Sequence, residues 1–301
     1  MNAIEIRNLT KKFGDKIAVN ELNMTVPIGA IYGFIGENGS GKSTTEKLIC
    51  GLLVPSDGQI KLFDKDYTDI NVRANVGCLI ESPGCFSNYS VWNNLMLQAY
   101  NLSIPNAKEE VRKVLKMVRM EGAASNKYKN CSLGMKQRIG IAMALLGNPK
   151  LLILDEPING LDADGMRIMR EILTNITKNY NCTVVVSSHI LGELEKIATH
   201  YGIIRNGKMI REMTSEELEK NCPTFVAFKT KDMSKAKALL KNKYIRIEED
   251  EFGYIRVYDA KTPEEIVTYL YDNHILINEI KSDKIGLEEY YINLMNSKEE
   301  K

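Results

Sequence analysis

One run of nine residues, Gly36-Glu37-Asn38-Gly39-Ser40-Gly41-Lys42-Ser43-Thr44, limits what this chain can become more than any other segment. It follows the apolar stretch 30–35 and satisfies the spacing G-x-x-x-x-G-K-[ST]. Glycines at these positions let the backbone curl until successive N–H groups point into one concavity, and a helix over 44–50 adds its own unpaired amides. Such a turn holds phosphate oxygens, with Lys42 reaching the β- and γ-phosphates and the Ser43 hydroxyl placed for Mg²⁺. Gly36, Glu37, Asn38, Gly39, Ser40, Gly41, Lys42, Ser43 and Thr44 are therefore candidates for nucleotide contact. The turn also requires a strand before it and a helix after it.

The neighbouring segments keep that alternation. Short β-rich runs at 4–8, 21–26, 30–35, 59–62, 76–80, 151–154, 183–187 and 201–204 predict an α/β fold with a mostly parallel sheet covered by helices. Between the fifth and sixth of these, helical patterns at 91–101, 108–120 and 133–146 predict a helical subdomain inserted at about 85–147. Val91, Leu95 and Leu102 are expected in its core. Arg205-Asn206-Gly207-Lys208 carries the Asn-Gly signal of a tight hairpin.

Asn221-Cys222-Pro223 breaks the rhythm. The remainder reads strand 224–229, helix 233–243, strands 244–249 and 254–258, helix 263–273, strand 275–280 and a closing helix 287–295. That βαββαβ order predicts a small ferredoxin-like α+β domain, giving domains 1–220 and 221–301.

A chain of 301 residues with 44% hydrophobic and 26% charged side chains has material for two cores. Forty basic against 39 acidic residues leave a net charge of +1, which gives no bulk attraction for nucleic acid or an anionic membrane. The six cysteines show no Cys-x-x-Cys spacing and are expected to be reduced and buried. No basic-then-apolar leader opens the chain, and no apolar run approaches a membrane span, so the chain is expected neither to be exported nor to span a membrane by itself.

The run Leu151-Leu152-Ile153-Leu154 ends in Asp155 and Glu156. At a strand exit beside a phosphate loop, Asp155 is placed to hold Mg²⁺ and Glu156 to polarise an attacking water as general base.

With these elements in place, the chain resembles the ATP-binding subunits of the ATP-binding-cassette class over roughly its first two-thirds. Phe13 precedes Gly14 where that family places an aromatic residue on adenine. Cys131-Ser132-Leu133-Gly134-Met135 stands where its signature Leu-Ser-Gly-Gly-Gln is expected. Asn159-Gly160-Leu161-Asp162 looks like the loop between paired subunits, and Ser187-Ser188-His189 like the switch histidine after a strand. The resemblance implies a P-loop ABC ATPase core of mixed sheet and flanking helices, with ATP and Mg²⁺ as cofactors. It implies that Ser132 and Gly134 bind the γ-phosphate held by a second subunit, that Asp162 belongs to the ATP site, and that His189 orients Glu156 and water. It further implies a membrane-spanning permease subunit as partner and a cytoplasmic, peripheral place on the inner face of a bacterial membrane.

Two departures narrow the branch. The signature reads Ser132-Leu133-Gly134-Met135-Lys136-Gln137-Arg138, and Glu81, within Ile80-Glu81-Ser82-Pro83-Gly84, stands where most relatives carry Gln. Glu81 is expected at Mg²⁺ or the lytic water, where a carboxylate accepts hydrogen bonds only. Both departures are similar to the bacitracin-export and lantibiotic-immunity ATPases, which implies ATP hydrolysis driving extrusion of a peptide antibiotic. Pro83, Gly84, Phe86, Tyr89 and Trp92 then fall where the family receives a short helix of the membrane subunit. The same engine serving a lipid, drug or ion is the alternative. A soluble protein acting on ribosomes or DNA fits less well, because the chain has one phosphate loop and no heptad run.

Overall fold

In the computed structural model, which describes residues 1–250, 252–260 and 262–296, a long hairpin opens the chain. β1 (Asn2–Phe13) and β2 (Lys16–Pro27) pair antiparallel, longer than the runs 4–8 and 21–26 expected for them. β3 (Ile31–Ile35) is buried along its whole length and feeds the loop that starts α1 (Lys42–Ile49). β4 (Asp57–Leu62) returns to β1 and β5 (Lys65–Asp66) to β4, so the first sheet has the order β2-β1-β4-β5. Then come α2 (Ile70–Arg73), β6 (Val76–Leu79), α3 (Val91–Asn101), α4 (Ala107–Met117), α5 (Leu133–Leu145), β7 (Leu151–Asp155), α6 (Ala163–Tyr180), β8 (Thr183–Ser188), α7 (Leu191–Leu194), β9 (His200–Arg205) and β10 (Lys208–Thr214).

The second sheet runs β10-β9-β3-β8-β7-β6. Its strands are parallel apart from β10, which folds back on β9 through Asn206 and Gly207, both at positive φ as a two-residue hairpin turn requires. Ile4, Ile6, Met24 and Ile60 of the first sheet share one core with Phe34, Ile153, Val185 and the α1 residues Leu48 and Ile49. The carboxyl ends of β3, β8 and β7 are therefore neighbours, the edge of an open parallel sheet where ligands bind.

The inserted helices bury Val91, Leu95 and Ala99 on α3, Val111, Val114 and Leu115 on α4, and Ile139 and Ala142 on α5. Leu102 departs from the expected core. It caps the end of α3, is 48% exposed, and lines a groove, because the helix stops before its side chain can turn inward. α6 was not among the expected elements. Yet Asp162 caps it and Met169, Ile172, Leu173 and Ile176 give it a buried stripe at helical spacing.

The chain divides into two compact units, Met1–Ser215 and Glu216–Lys301. The division falls after Ser215, the first residue of α8 (Ser215–Asn221), a helix that ends at the Asn221–Pro223 break. β11 (Thr224–Thr230), α9 (Met233–Leu240), β12 (Ile247–Glu249), β13 (Ile255–Val257), α10 (Pro263–Asp272), β14 (Ile277–Lys284) and α11 (Leu287–Asn296) follow. The strands form one antiparallel sheet in the order β12-β13-β11-β14, packed through Val226, Phe228, Leu240, Ile255 and Leu270. Residues 251, 261 and 297–301 of the expected domain 221–301 lie outside the described residues. None of the six cysteines forms a disulfide; Cys131, Cys182 and Cys222 are buried as expected, whereas Cys50 and Cys85 are half-buried and Cys78 is exposed, since it alternates outward between Gly77 and Leu79 on β6.

α5 sits on β6 so closely that a Cβ at Gly77 would lie 2.0 Å from the Ala144 carbonyl oxygen. Gly77→Ala should therefore cost about 1–3 kcal/mol. A lower urea midpoint, followed by the fluorescence of Trp92, the single tryptophan, checks it; an unchanged midpoint contradicts the close approach.

Candidate nucleotide-binding site

The loop after β3 is shaped by glycine where no other residue fits. Gly41 has φ +111°, and a Cβ there would meet the Ala18 carbonyl at 2.6 Å; one at Gly36 would meet the Ile204 carbonyl at 2.6 Å. Lys42 is 5% exposed. Its Nζ folds back to donate to the carbonyls of Gly36 at 2.6 Å and Glu37 at 3.1 Å. The ammonium is thereby held inside the curl of the loop, ready to exchange carbonyl oxygens for phosphate oxygens. The Ser40 hydroxyl is buried with no hydrogen-bond partner among the described residues. A cleft of about 420 Å³ opens over Gly39, Lys42, Ser43 and Thr44, walled by Lys16 and Ala18 on one side and Asp155 and Glu156 on another.

Register brings the acids to this cleft. Asp155 stands beside Ser187, and Ser188 beside Ile35. The Ser187 hydroxyl donates to Asp155 Oδ1 at 2.8 Å and accepts from the Glu156 N–H at 3.2 Å. Glu156 itself has φ +48°, a left-handed backbone that non-glycine residues rarely take outside sites that over-determine them. The bend swings its carboxylate across the loop: Oε1 lies 4.0 Å from Lys42 Nζ, and Oε2 accepts from His189 Nδ1 at 2.8 Å. With Nδ1 engaged by a carboxylate, Nε2 is the nitrogen left for a phosphate. Glu156 is one-fifth exposed, open enough for water yet fixed from both sides.

Beneath these groups lies a carboxyl given no role above. Glu46 is fully buried on α1, and neither oxygen has a hydrogen-bond partner among the described residues. Burial, with the charge of Asp155 second, pushes it up to about 8 against the smaller opposing pull of Ser187 and Lys42. Ser187 also had no role in the sequence reading. Both signals were present: a carboxylate on the apolar face of a helix, and a serine two residues before His189.

Other expected residues lie apart from the cleft. Phe13 is half exposed at the β1–β2 turn with the Lys11 ammonium 5.0 Å from its ring centre. Glu81, also at positive φ, is not among the cleft walls; its Oε1 accepts from Lys47 Nζ at 2.7 Å, and that charge holds it below its usual value. Ser132 and Gly134 line a separate cleft of about 400 Å³ with Gly160 and Asp162. There the Ser132 hydroxyl caps α5 by accepting from the Met135 N–H at 3.3 Å, and Asp162 caps α6 through the Gly165 N–H at 2.8 Å. Within one chain, then, Lys42, Asp155, Glu156 and His189 come together, while Ser132, Gly134 and Asp162 form a second surface.

A phosphate loop leaving one parallel strand, with an acid pair ending the strand two positions across the sheet, is the construction of a P-loop nucleotide-binding protein. The family model described as ABC transporter matches residues 19–159. The bacitracin transport ATP-binding protein BcrA of Bacillus licheniformis is 36% identical, over 97% of this chain and 97% of its own. The lantibiotic transport ATP-binding protein SrtF of Streptococcus pyogenes is 38% identical, over 72% of this chain and 94% of its own. A solved ATP-binding subunit of an ABC transporter superposes with a TM-score of 0.64 at 27% identity, covering 73% of this chain and 92% of that one. The chain belongs to the ABC transporter family, among its ATP-binding, ATP-hydrolysing subunits.

Glu46 also sets a pH dependence. Its ordinary value is 4.5 and its folded value about 8, so between these the folded chain keeps a proton that the unfolded chain releases, and stability falls as pH rises through that window. Glu46→Gln abolishes the contribution. Its stability relative to the wild type should climb from about pH 5 to pH 8 and then level off, read as the difference in urea midpoints; a flat difference contradicts the burial argument.

Proposed function

We propose that this chain powers the extrusion of a peptide antibiotic of bacitracin or lantibiotic type, acting as two copies on a separate membrane-spanning subunit. One observation carries the catalytic half of this reading: Glu156 is clamped between Lys42 and His189 over the phosphate loop. The cargo is read from likeness to the bacitracin transport ATP-binding protein along 97% of both chains, second unit included.

ATP enters with its phosphates in the curl of Gly36–Thr44, where the backbone amides and Lys42 take the β- and γ-oxygens. Phe13 is the adenine platform. Glu156 accepts the proton of the attacking water, and His189 holds that carboxylate in line. Ser43 and Asp155 offer the hard oxygen donors that suit Mg²⁺; among the described residues no three His, Cys, Asp or Glu side chains form a metal cluster, at this site or away from it. Those two residues would hold the ion, which when bound offsets charge on the phosphate oxygens. Glu81 would have to leave Lys47 to join them.

Ser132 and Gly134, on a different cleft from Lys42, support a composite site in which a second copy supplies them to the γ-phosphate. Asp162, beside them, lies at the same junction. Among the described residues no helix is long and apolar enough to cross a membrane. The groove lined by Leu79, Pro83, Gly84, Leu102 and Met143, with Phe86 and Tyr89 exposed nearby, is the docking place for the permease. This reading puts the chain on the inner face of a bacterial membrane, and nothing in it calls for nucleic acid.

Glu156→Gln should bind ATP normally and lose at least about a hundredfold in turnover; undiminished steady-state hydrolysis removes Glu156 from the role of base. In the source bacterium, deleting the gene should lower the growth-inhibitory concentration of bacitracin or a lantibiotic selectively. The wild-type gene should restore it and the Glu156→Gln gene should not. Unchanged susceptibility to every such peptide moves the cargo to another class.

A further inference from the structure

The antiparallel sheet of the second unit ends in two unlike edges. β12 is three residues long, whereas β14 runs for eight and pairs, among the described residues, with β11 alone. The backbone groups on its far side therefore face outward, and every side chain of the strand except Ile277 and Ile280 is exposed. An uncovered edge of this length is a template for another strand. The other long edge, β2, is partly closed from within the chain, its Asn20 N–H donating to the Gly207 carbonyl at 2.9 Å and its Thr25 N–H to Glu212 Oε1 at 2.9 Å.

Charge decides which strand fits. From Glu279 to Lys284 the register against β11 is regular, so Glu279, Lys281 and Asp283 share one face and alternate in sign. Tyr254 orders the first two: its hydroxyl donates to Glu279 Oε1 at 2.7 Å, and the Lys281 ammonium lies 4.9 Å from its ring centre. The other face carries Ile280, which packs against the core of the unit. A row of like charge repels its own copy, whereas an alternating row complements itself when reversed. A two-fold axis normal to the sheet joins two such edges antiparallel and sets each side chain opposite one on its own face. Centred on Ile280, it places Glu279 opposite Lys281 on both sides of the axis and Ile280 opposite Ile280, which continues the apolar core across the junction. Centred on Glu279 or Lys281, it sets that residue against its own copy. Centred on Ser282, it pairs Lys281 with Asp283 but places Ile280 against Lys284.

We infer that β14 is a self-complementary edge through which two copies of this chain join, the sheets of their second units becoming one continuous antiparallel sheet about a two-fold axis at Ile280. The joint needs no nucleotide. It keeps two copies together in the absence of ATP, so that closing over nucleotide is an event within a standing pair rather than an encounter from solution. That consequence rests on the two-copy reading proposed above; the pairing of the edges does not.

The test is sedimentation velocity of the full chain in EDTA without nucleotide, across a dilution series. The wild type should form a reversible dimer. Glu279→Lys and Lys281→Glu each set like charges against one another across the axis and should weaken that dimer at least about tenfold. Mixing the two variants in equal amounts should restore it, because one copy then brings two lysines to face the two glutamates of the other, a recovery that variants damaged in folding could not give. A wild type that stays monomeric throughout overturns the inference. So does a dimer that both single variants leave unchanged, and so does a mixture that associates no better than its components. Pairing through Ser132 and Gly134 is read separately, by repeating the wild-type run in ATP and Mg²⁺, so failure of the edge and failure of the two-copy reading are distinguished.

Discussion

Three parallel strands in fixed register hold the site together. Ile35 lies beside Ser188, and Asp155 beside Ser187, so the glycine-rich loop, the acid pair and His189 leave the sheet at one level. The Ser187 hydroxyl pins that level by donating to Asp155 and accepting from the Glu156 N–H. A slip of one residue in β8 would turn Ser187 to the other face of the sheet and move His189 away from Glu156. Because these strands are buried and branched on both faces, the register is strongly specified, and polar groups at their ends inherit its precision.

The second determinant is charge in a region with little water. Lys42 is buried inside its own loop, and Glu46, Asp155 and Glu156 lie around it. In such surroundings each charge acts on the others more strongly than it would in solvent. Donors are distributed among the carboxyls: His189 to Glu156 and Ser187 to Asp155, while burial favours the protonated form of Glu46. Glu156 and Glu81 also hold positive φ. The first is fixed by neighbours on both sides, whereas the second rests on an exposed pair with Lys47 that solvent weakens.

Separation is as informative as assembly. Ser132, Gly134 and Asp162 line a cleft that shares no wall with the one around Lys42. Their side chains cap α5 and α6, so the starts of these two helices lie on that second surface and not on the cleft around Lys42. The close seat of α5 on β6, made possible by Gly77, sets the position of that surface relative to the sheet.

The local chemistry was legible in the sequence. The glycines that permit the loop, Lys42 and Ser43 within it, and Asp155-Glu156 at the end of an apolar run need no distant information, because backbone freedom and hydrophobic alternation are properties of short segments. Tertiary structure alone decided which side chains meet. It joined Glu156 to Lys42 and His189, turned Glu81 toward Lys47, exposed Leu102 and Cys78, and enclosed Glu46 beneath Asp155. Burial and partnership depend on packing between segments far apart in the chain, so the same glutamate reads as a surface charge in the sequence and as an orphaned carboxyl in the fold.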